Sequence, residues 1–330
     1  MVDPLDRPSA VVELDAIVPS EFNGRRVDWV ATQLFEKREG DGGPVVSRSE
    51  LSRWVREGLL TLDGRVVKPK TAVAAGQRVR VRVQRLPRFD WSAAEDLAFR
   101  VAYEDADILV VDKPAGLVVH PGAGNPRGTL VNGLLRRLPA LAGLPRAGLM
   151  QRLDKDTSGL MVVGANESSL KSLVSDMQAR RIERRYLAVV EGTVEADRRI
   201  DLAIGRDRRN RLRQSVRPDG RAAVTHIAVK KRFAAHTLVE ARLETGRTHQ
   251  IRVHMATIGH PLVGDTRYGA RRIVPPGGTE AATEMVRRFP RQALHACRLA
   301  LTHPASGERM TFGSDLPEDM RCLLQALETR

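Results

Sequence analysis

The densest group of reactive side chains in the sequence is Gln151-Arg152-Leu153-Asp154-Lys155-Asp156-Thr157-Ser158-Gly159, set between the apolar runs 148–150 and 160–163. A polar turn between two buried strands places its side chains at a sheet edge or cleft, where a carboxylate can be held close to cations. Asp154 and Asp156 in such a place could serve as nucleophile or general base, or together as the carboxylate pair of a glycosidase. They also suit a local task, because Asp-Thr-Ser turns cap backbone N–H groups, and spacing alone favours that reading. A second group lies at 248–258. Thr248 stands as an N-cap, Ile251, Met255 and Ile258 recur at helical spacing, and Gly259 followed by Pro261 ends the segment. On such a helix His249 and Arg252 share a face. His249, His254 and His260 match no standard helical zinc spacing and read as hydrogen-bonding side chains, so no metal is expected. The run 206–213 reads as a solvated basic loop with generic phosphate contact.

The elements carrying these residues fall into two blocks. From 11 to 85 the pattern is compact. Val27, Val30, Ala31 and Leu34 mark a first helix, and a Gly-rich loop spans 40–44. Ser47 and Glu50 form an S-x-x-E capping signature for a second helix with Leu51, Trp54 and Val55 on one face, stopped at Gly58. Leu60-Thr61-Leu62 and Val66-Val67 flank Asp63-Gly64 as a hairpin. Val79, Val81 and Val83 then alternate with Arg78, Arg80 and Arg82, which predicts a strand with one apolar and one basic face. Residues 86–98 read as a linker. The second domain spans 99–325, with strands at 108–111, 185–190 and 224–229, a turn at 113–116 leading into 117–119, and a helix carrying Leu170, Leu173, Val174 and Met177. The stretch 271–289 reads as a surface loop plus a short helix. Strands outnumber helices and connections are short, so the expected class is α+β, with a mixed, largely antiparallel sheet.

Composition narrows the function classes. The 330-residue chain carries 54 Lys and Arg against 40 Asp and Glu, a net charge of +14 that points to a polyanionic partner. Aromatic residues are only 4%, so charge and shape are favoured over a broad base-stacking platform. The two cysteines, Cys297 and Cys322, cannot build a disulfide framework or a cysteine-rich zinc site, which fits a reducing compartment. No apolar run approaches a bilayer span and no apolar secretory segment follows the acidic start, so a cytoplasmic protein without membrane contact is expected. No Gly-rich phosphate loop is present, which demotes nucleotide and dinucleotide chemistry.

Longer matches change the balance at Asp154. The segments 152–160 (Arg-Leu-Asp-Lys-Asp-Thr-Ser-Gly-Leu), 185–192, 245–254, 259–265 and 293–296 resemble, in the same order, the RluA/RluD family of RNA pseudouridine synthases. The helix-helix-hairpin order at 11–85 resembles the S-four-type RNA-binding domain that precedes the catalytic domain in many members, with Arg48, Arg53 and Arg56 as its RNA contacts. The resemblance implies a mixed sheet with flanking helices around an RNA-binding cleft. It implies isomerisation of uridine to pseudouridine in structured RNA, large-subunit (23S) ribosomal RNA or a precursor particle above all, without cofactor or metal, by a monomer. Asp154 matches the catalytic aspartate and acts either on the anomeric carbon or on the neighbouring ribose proton. Arg252 matches the arginine that pairs with it, and Tyr186 the tyrosine that stacks on the target uracil. Arg152 matches the arginine that supports the helix once a nucleotide has left its stack, with phosphate contact as its other reading. Lys155, Arg247 and His249 complete the expected RNA-binding set. One position departs from the family: Gln151 stands where His is common, and Gln cannot titrate. That departure motivates the alternative of a non-catalytic RNA-binding or ribosome-assembly protein on the same scaffold.

Overall fold

The computed structural model describes residues 10–39, 46, 48–85, 93–122, 124–269 and 279–328. The chain forms two compact units, Met1–Phe89 and Asp90–Arg330.

The first unit contains β1 (Ala10–Ile17), α1 (Val27–Glu39), α2 (Arg48–Arg56), β2 (Leu60–Leu62), β3 (Arg65–Val66) and β4 (Arg78–Arg85), with sheet order β1-β4-β2-β3 and every pair antiparallel. Val27, Val30 and Ala31 of α1 and Leu51, Trp54 and Val55 of α2 are buried together against Val79 and Val81 of β4. The β2–β3 turn uses Asp63 and Gly64 with φ of 49° and 77°, the left-handed pair that an Asp-Gly hairpin requires. The loop at 40–44 and the cap Ser47 lie outside the described residues. Strand β1 was not anticipated, although Val12 and Leu14 are its buried alternate positions. It modifies the basic face of β4, because Asp15 pairs with Arg78 at 2.6 Å and with Arg80 at 3.3 Å.

The second unit contains β5 (Arg100–Glu104), β6 (Ile108–Lys113), α3 (Leu130–Arg137), β7 (Ser158–Gly164), α4 (Glu167–Gln178), β8 (Glu183–Glu191), β9 (Arg198–Asp201), β10 (Ile204–Arg206), β11 (Gln214–Val216), β12 (Val224–Arg232), β13 (His236–Leu243), α5 (Gln250–Thr257), α6 (Glu280–Arg288), β14 (Leu294–Thr302), β15 (Arg309–Gly313) and α7 (Glu318–Glu328). Nine strands form one sheet, β5-β6-β7-β14-β8-β13-β12-β9, with β15 beside β14. Among the described residues, β7 and β14 are the one parallel strand pair, pairing His295 with Ser158 and Ala296 with Gly159, so the sheet is mixed and largely antiparallel as expected. β10 and β11 form a separate two-stranded ribbon. The main core combines Val111, Met161, Ala188 and Val190 of the sheet with Leu130 and Leu134 of α3 and Ile251 and Met255 of α5.

Three local expectations are revised. The run 148–150 is not a strand but follows a 3-10 turn, Pro145–Gly148, in which Arg146 and Ala147 hold left-handed φ of 54° and 51°. Helix α5 starts at Gln250, and its N-cap is His249 at φ 57° rather than Thr248. Residues 93–98 of the expected linker are tied to α3, since Asn132 Nδ2 donates to Ala93 O at 2.8 Å and Glu95 N to Asn132 O at 3.0 Å. The helix expected in 271–289 is α6, and 271–278 lie outside the described residues.

Candidate active site

Asp154 sits on the turn that enters β7, and neighbouring side chains fasten that turn. Lys113, fully buried at the end of β6, donates from Nζ to the carbonyls of Pro114, Leu117 and Lys155 at 2.8 to 2.9 Å. Burial pushes the Lys113 ammonium down to about 7, against the opposing pull of Asp156 and Asp154. Arg291 Nη1 donates to Asp156 O at 3.1 Å, and Gln292 Nε2 donates to Thr157 Oγ1 at 3.0 Å. Gly159 comes next, with φ 113° and its Cα so close to β14 that a Cβ would stand 2.3 Å from Ala296 O. The turn is thus held on several sides, and its acidic side chain projects from a rigid base.

Arg252, on α5, reaches Asp154 with Nη1 at 2.7 Å. Its other two nitrogens go to Asp265, Nε to Oδ2 at 2.7 Å and Nη2 to Oδ1 at 2.9 Å. Burial works against the Arg252 charge, but the hydrogen bonds and charge of Asp265, and then of Asp154, outweigh it and raise its pKa above the ordinary arginine value. Asp265 is itself held below the carboxylate range, its burial overcome by Arg252 and by the backbone N–H groups of Tyr268 and Arg267. The cation beside Asp154 is therefore permanent and oriented.

His249 lies 3.7 Å from Asp154 Oδ1 through Nε2, while Nδ1 meets the Tyr268 hydroxyl at 2.7 Å. The same hydroxyl accepts from Gln214 N at 2.9 Å, which links the site to β11. Burial pushes His249 below the usual imidazole range, although Asp154 pulls the other way. The Tyr268 ring also stands 5.1 Å from the Arg252 guanidinium carbon, a cation–π distance. A cavity of about 490 Å³ opens over Asp154, lined among others by Gln151, Arg152, Arg184, Tyr186, Arg247 and His249. Tyr186, 6% exposed on β8, forms part of its apolar wall with Leu243 and Leu294, and burial pushes its phenol up. The arrangement offers the Asp154 carboxylate, a fixed cation and an aromatic ring to a flat, ring-sized ligand, while the other carboxylate of the lining, Glu244, is paired with Arg180 and His226.

The chain is 49% identical over 312 residues, 94% of its length and 92% of the relative's, to the protein named ribosomal large subunit pseudouridine synthase D of Xanthomonas campestris pv. campestris. The protein of that name in Pseudomonas aeruginosa is 46% identical over 319 residues, 97% of each chain. The chain belongs to the RluA/RluD family of RNA pseudouridine synthases. The family model described as RNA pseudouridylate synthase matches residues 107–257, and the S4 domain model matches residues 43–79. Two human structures share the fold at 24% identity: RNA Pseudouridylate Synthase Domain Containing 1 (TM-score 0.52, 72% of this chain and 97% of that one) and Domain Containing 4 (0.54, 69% and 92%).

In this synthase the predicted residues separate into groups. Asp154, Arg252, Tyr186, Arg152, Arg247 and His249 all line the one cavity. Lys155 does not; its side chain is exposed and its carbonyl serves Lys113. Arg48, Arg53 and Arg56 lie on α2 of the first unit, with exposed side chains at Arg48 and Arg53 that face Asp28 at 3.8 Å and Glu57 at 3.9 Å. Asp156 is not part of the cavity wall, so the Asp154–Asp156 pair of the glycosidase reading does not face it. His254 and His260 are engaged elsewhere, with Thr225 and Leu202 O and with Glu191 O. Gln151 is 8% exposed in the wall, and its Nε2 has no partner among the described residues. Asp265 and Tyr268 were missed as site residues. Asp265 lies within the matched segment 259–265, but nothing in local spacing joins an acid to an arginine 13 positions earlier.

Proposed function

We propose that this synthase isomerises uridine to pseudouridine in large-subunit (23S) ribosomal RNA, with Asp154 as the reacting carboxylate. The observation that carries the reading is the 2.7 Å contact between Asp154 and Arg252 at the floor of a cavity walled by Tyr186. A uridine out of its stack brings its ribose to Asp154 and its base to the Tyr186 ring. Asp154 then attacks C1′ or takes the C2′ proton. On either route the N1–C1′ bond breaks, the base turns and C5 bonds to C1′, which displaces the Asp154–C1′ ester bond on the first route and draws the proton from Asp154 back to C2′ on the second; loss of the C5 proton with gain of one at N1 then leaves an isomer of the substrate. Arg252 keeps the carboxylate aimed, and the fork from Asp265 keeps Arg252 in place. Arg152 at the cavity and the arginines of α2 supply contacts to the polyanion. The reading goes with a monomeric protein that acts in the cytoplasm. The relatives' printed names support the choice of RNA.

Asp154→Asn tests the reading, because it removes the charge with little change in size. Pseudouridine mapping of ribosomal RNA from a deletion strain should show sites restored by the wild-type chain and not by the variant. Restoration by Asp154→Asn would return the protein to the class of non-catalytic RNA-binding or assembly factors.

A further inference from the structure

Arg184 brings an unpaired positive charge to the cavity. It precedes Tyr186 by two residues on β8, so both side chains leave the same face of the strand, and both line the cavity that contains Asp154. The residue is 7% exposed, yet among the described residues its guanidinium makes no hydrogen bond or ion pair, and Nε is shut off from solvent. Its neighbours are treated differently. Arg185 pairs with Glu183 and Glu240 at 2.6 and 2.9 Å, and Arg252 holds two carboxylates. Space for the Arg184 head group exists because residue 246 is glycine, where a Cβ would stand 2.9 Å from Nη1. A buried guanidinium without an acceptor is costly to a fold, and a binding site is where such a cost is retained.

The reaction supplies the missing acceptor. Whichever route Asp154 takes, the electron pair of the N1–C1′ bond departs with the base, so the detached uracil is an anion with its charge spread over N1, O2 and O4. During that interval no covalent bond holds the base to the RNA. We propose that Arg184 is a catalytic residue which hydrogen-bonds a carbonyl oxygen of the uracil as it departs and retains the anion against Tyr186 while it turns. The charge returns to neutrality when C5 bonds to C1′, the C5 proton leaves and N1 is protonated. This proposal deepens the isomerisation reading and rests on it. An RNA phosphate is the competing acceptor, but the exposed Arg152 is better placed for phosphate than a side chain sunk in the wall.

The test uses full-length Arg184→Gln, Arg184→Met and Arg184→Lys with one RNA substrate. Single-turnover pseudouridine formation should fall about 100- to 1,000-fold in the Gln and Met variants, with part of the rate recovered by Lys. RNA affinity and its salt dependence should not move, and the Met variant should melt no lower than wild type, because it removes an unpaired buried charge. A wild-type rate in Arg184→Gln overturns the proposal. So does weaker RNA binding with a shallower salt slope, which would mark a phosphate contact, or a lowered melting point in both neutral variants, which would mark a structural arginine. An inactive wild-type chain would instead sink the isomerisation reading itself.

Discussion

Asp265 takes two of the three terminal guanidinium contacts of Arg252 and leaves Nη1 free to meet Asp154. A planar fork held at two points cannot swivel, so the aim of the third nitrogen is set by a carboxylate that never enters the cavity. Asp265→Asn should break this, because an amide N–H then faces a guanidinium N–H inside the protein. Stability should drop by about 3–5 kcal/mol, the usual consequence of leaving one member of a buried pair alone. Single-turnover isomerisation should fall while RNA affinity holds. Urea unfolding and rapid-quench kinetics measure the two effects, and an unchanged rate would show that Asp265 does not orient the site.

Tyr268→Phe probes the outer support. The hydroxyl joins His249 Nδ1 to Gln214 N, and its loss leaves both without that partner. A destabilisation of about 1–2 kcal/mol is expected, together with a shifted His249 ring signal in NMR spectra. An unmoved His249 signal would show that the hydroxyl does not fix the imidazole.

That Asp154, Tyr186 and Arg252 belong together at one cavity was legible because each residue lies inside a long ordered match, and the antiparallel character of the sheet was legible from short strands and short connections. Asp265 and Tyr268 were not, because their partners arrive from α5 and β11 through tertiary packing that has no local period. The left-handed His249 is of the same kind. Nothing about a histidine at a helix entry announces φ 57°, and its tie to Tyr268 becomes evident only once both are in place. Strand β1 was readable in principle from Val12 and Leu14, but its acids on the outer face obscured the pattern.

Gly159→Ala should be among the most damaging single changes available. Both the φ of 113° and the 2.3 Å approach to Ala296 O forbid a Cβ where β7 meets β14. A loss above about 4 kcal/mol is expected, visible as insoluble protein or a collapsed melting transition. A variant that melts like wild type would mean that the strands can separate at the base of the Asp154 turn without consequence.

Binding by the first unit should be electrostatic. Changing Arg48, Arg53 and Arg56 together to Ala removes three cations of α2 while the buried Leu51, Trp54 and Val55 stay. If each contacts one phosphate, the slope of log affinity against log salt should shrink by about 2 to 3, uniformly across RNA sequences. Filter binding at several salt concentrations gives the slope. An identical slope in the triple variant would exclude these residues from the interface.

Acid sensitivity should be traceable to His120. Burial, followed by the charges of Arg146 and Arg152, pushes this imidazole down to about 4. Its Nε2 meets Arg146 Nη2 at 3.0 Å, a geometry that suits a neutral ring accepting from the guanidinium and opposes a protonated one. In the unfolded chain the same ring titrates near its ordinary value of 6.5. Between those two values the unfolded state binds a proton that the folded state refuses, so stability falls as pH falls. The contribution of the neutral ring is complete above 6.5 and is lost progressively as pH drops toward 4. His120→Gln retains a hydrogen-bonding side chain and removes the titration. Its unfolding free energy should therefore decline less than that of wild type between neutral pH and the lower end of that window. Parallel urea titrations across the window compare the two proteins, and coincident pH profiles would show that His120 does not carry this acid sensitivity.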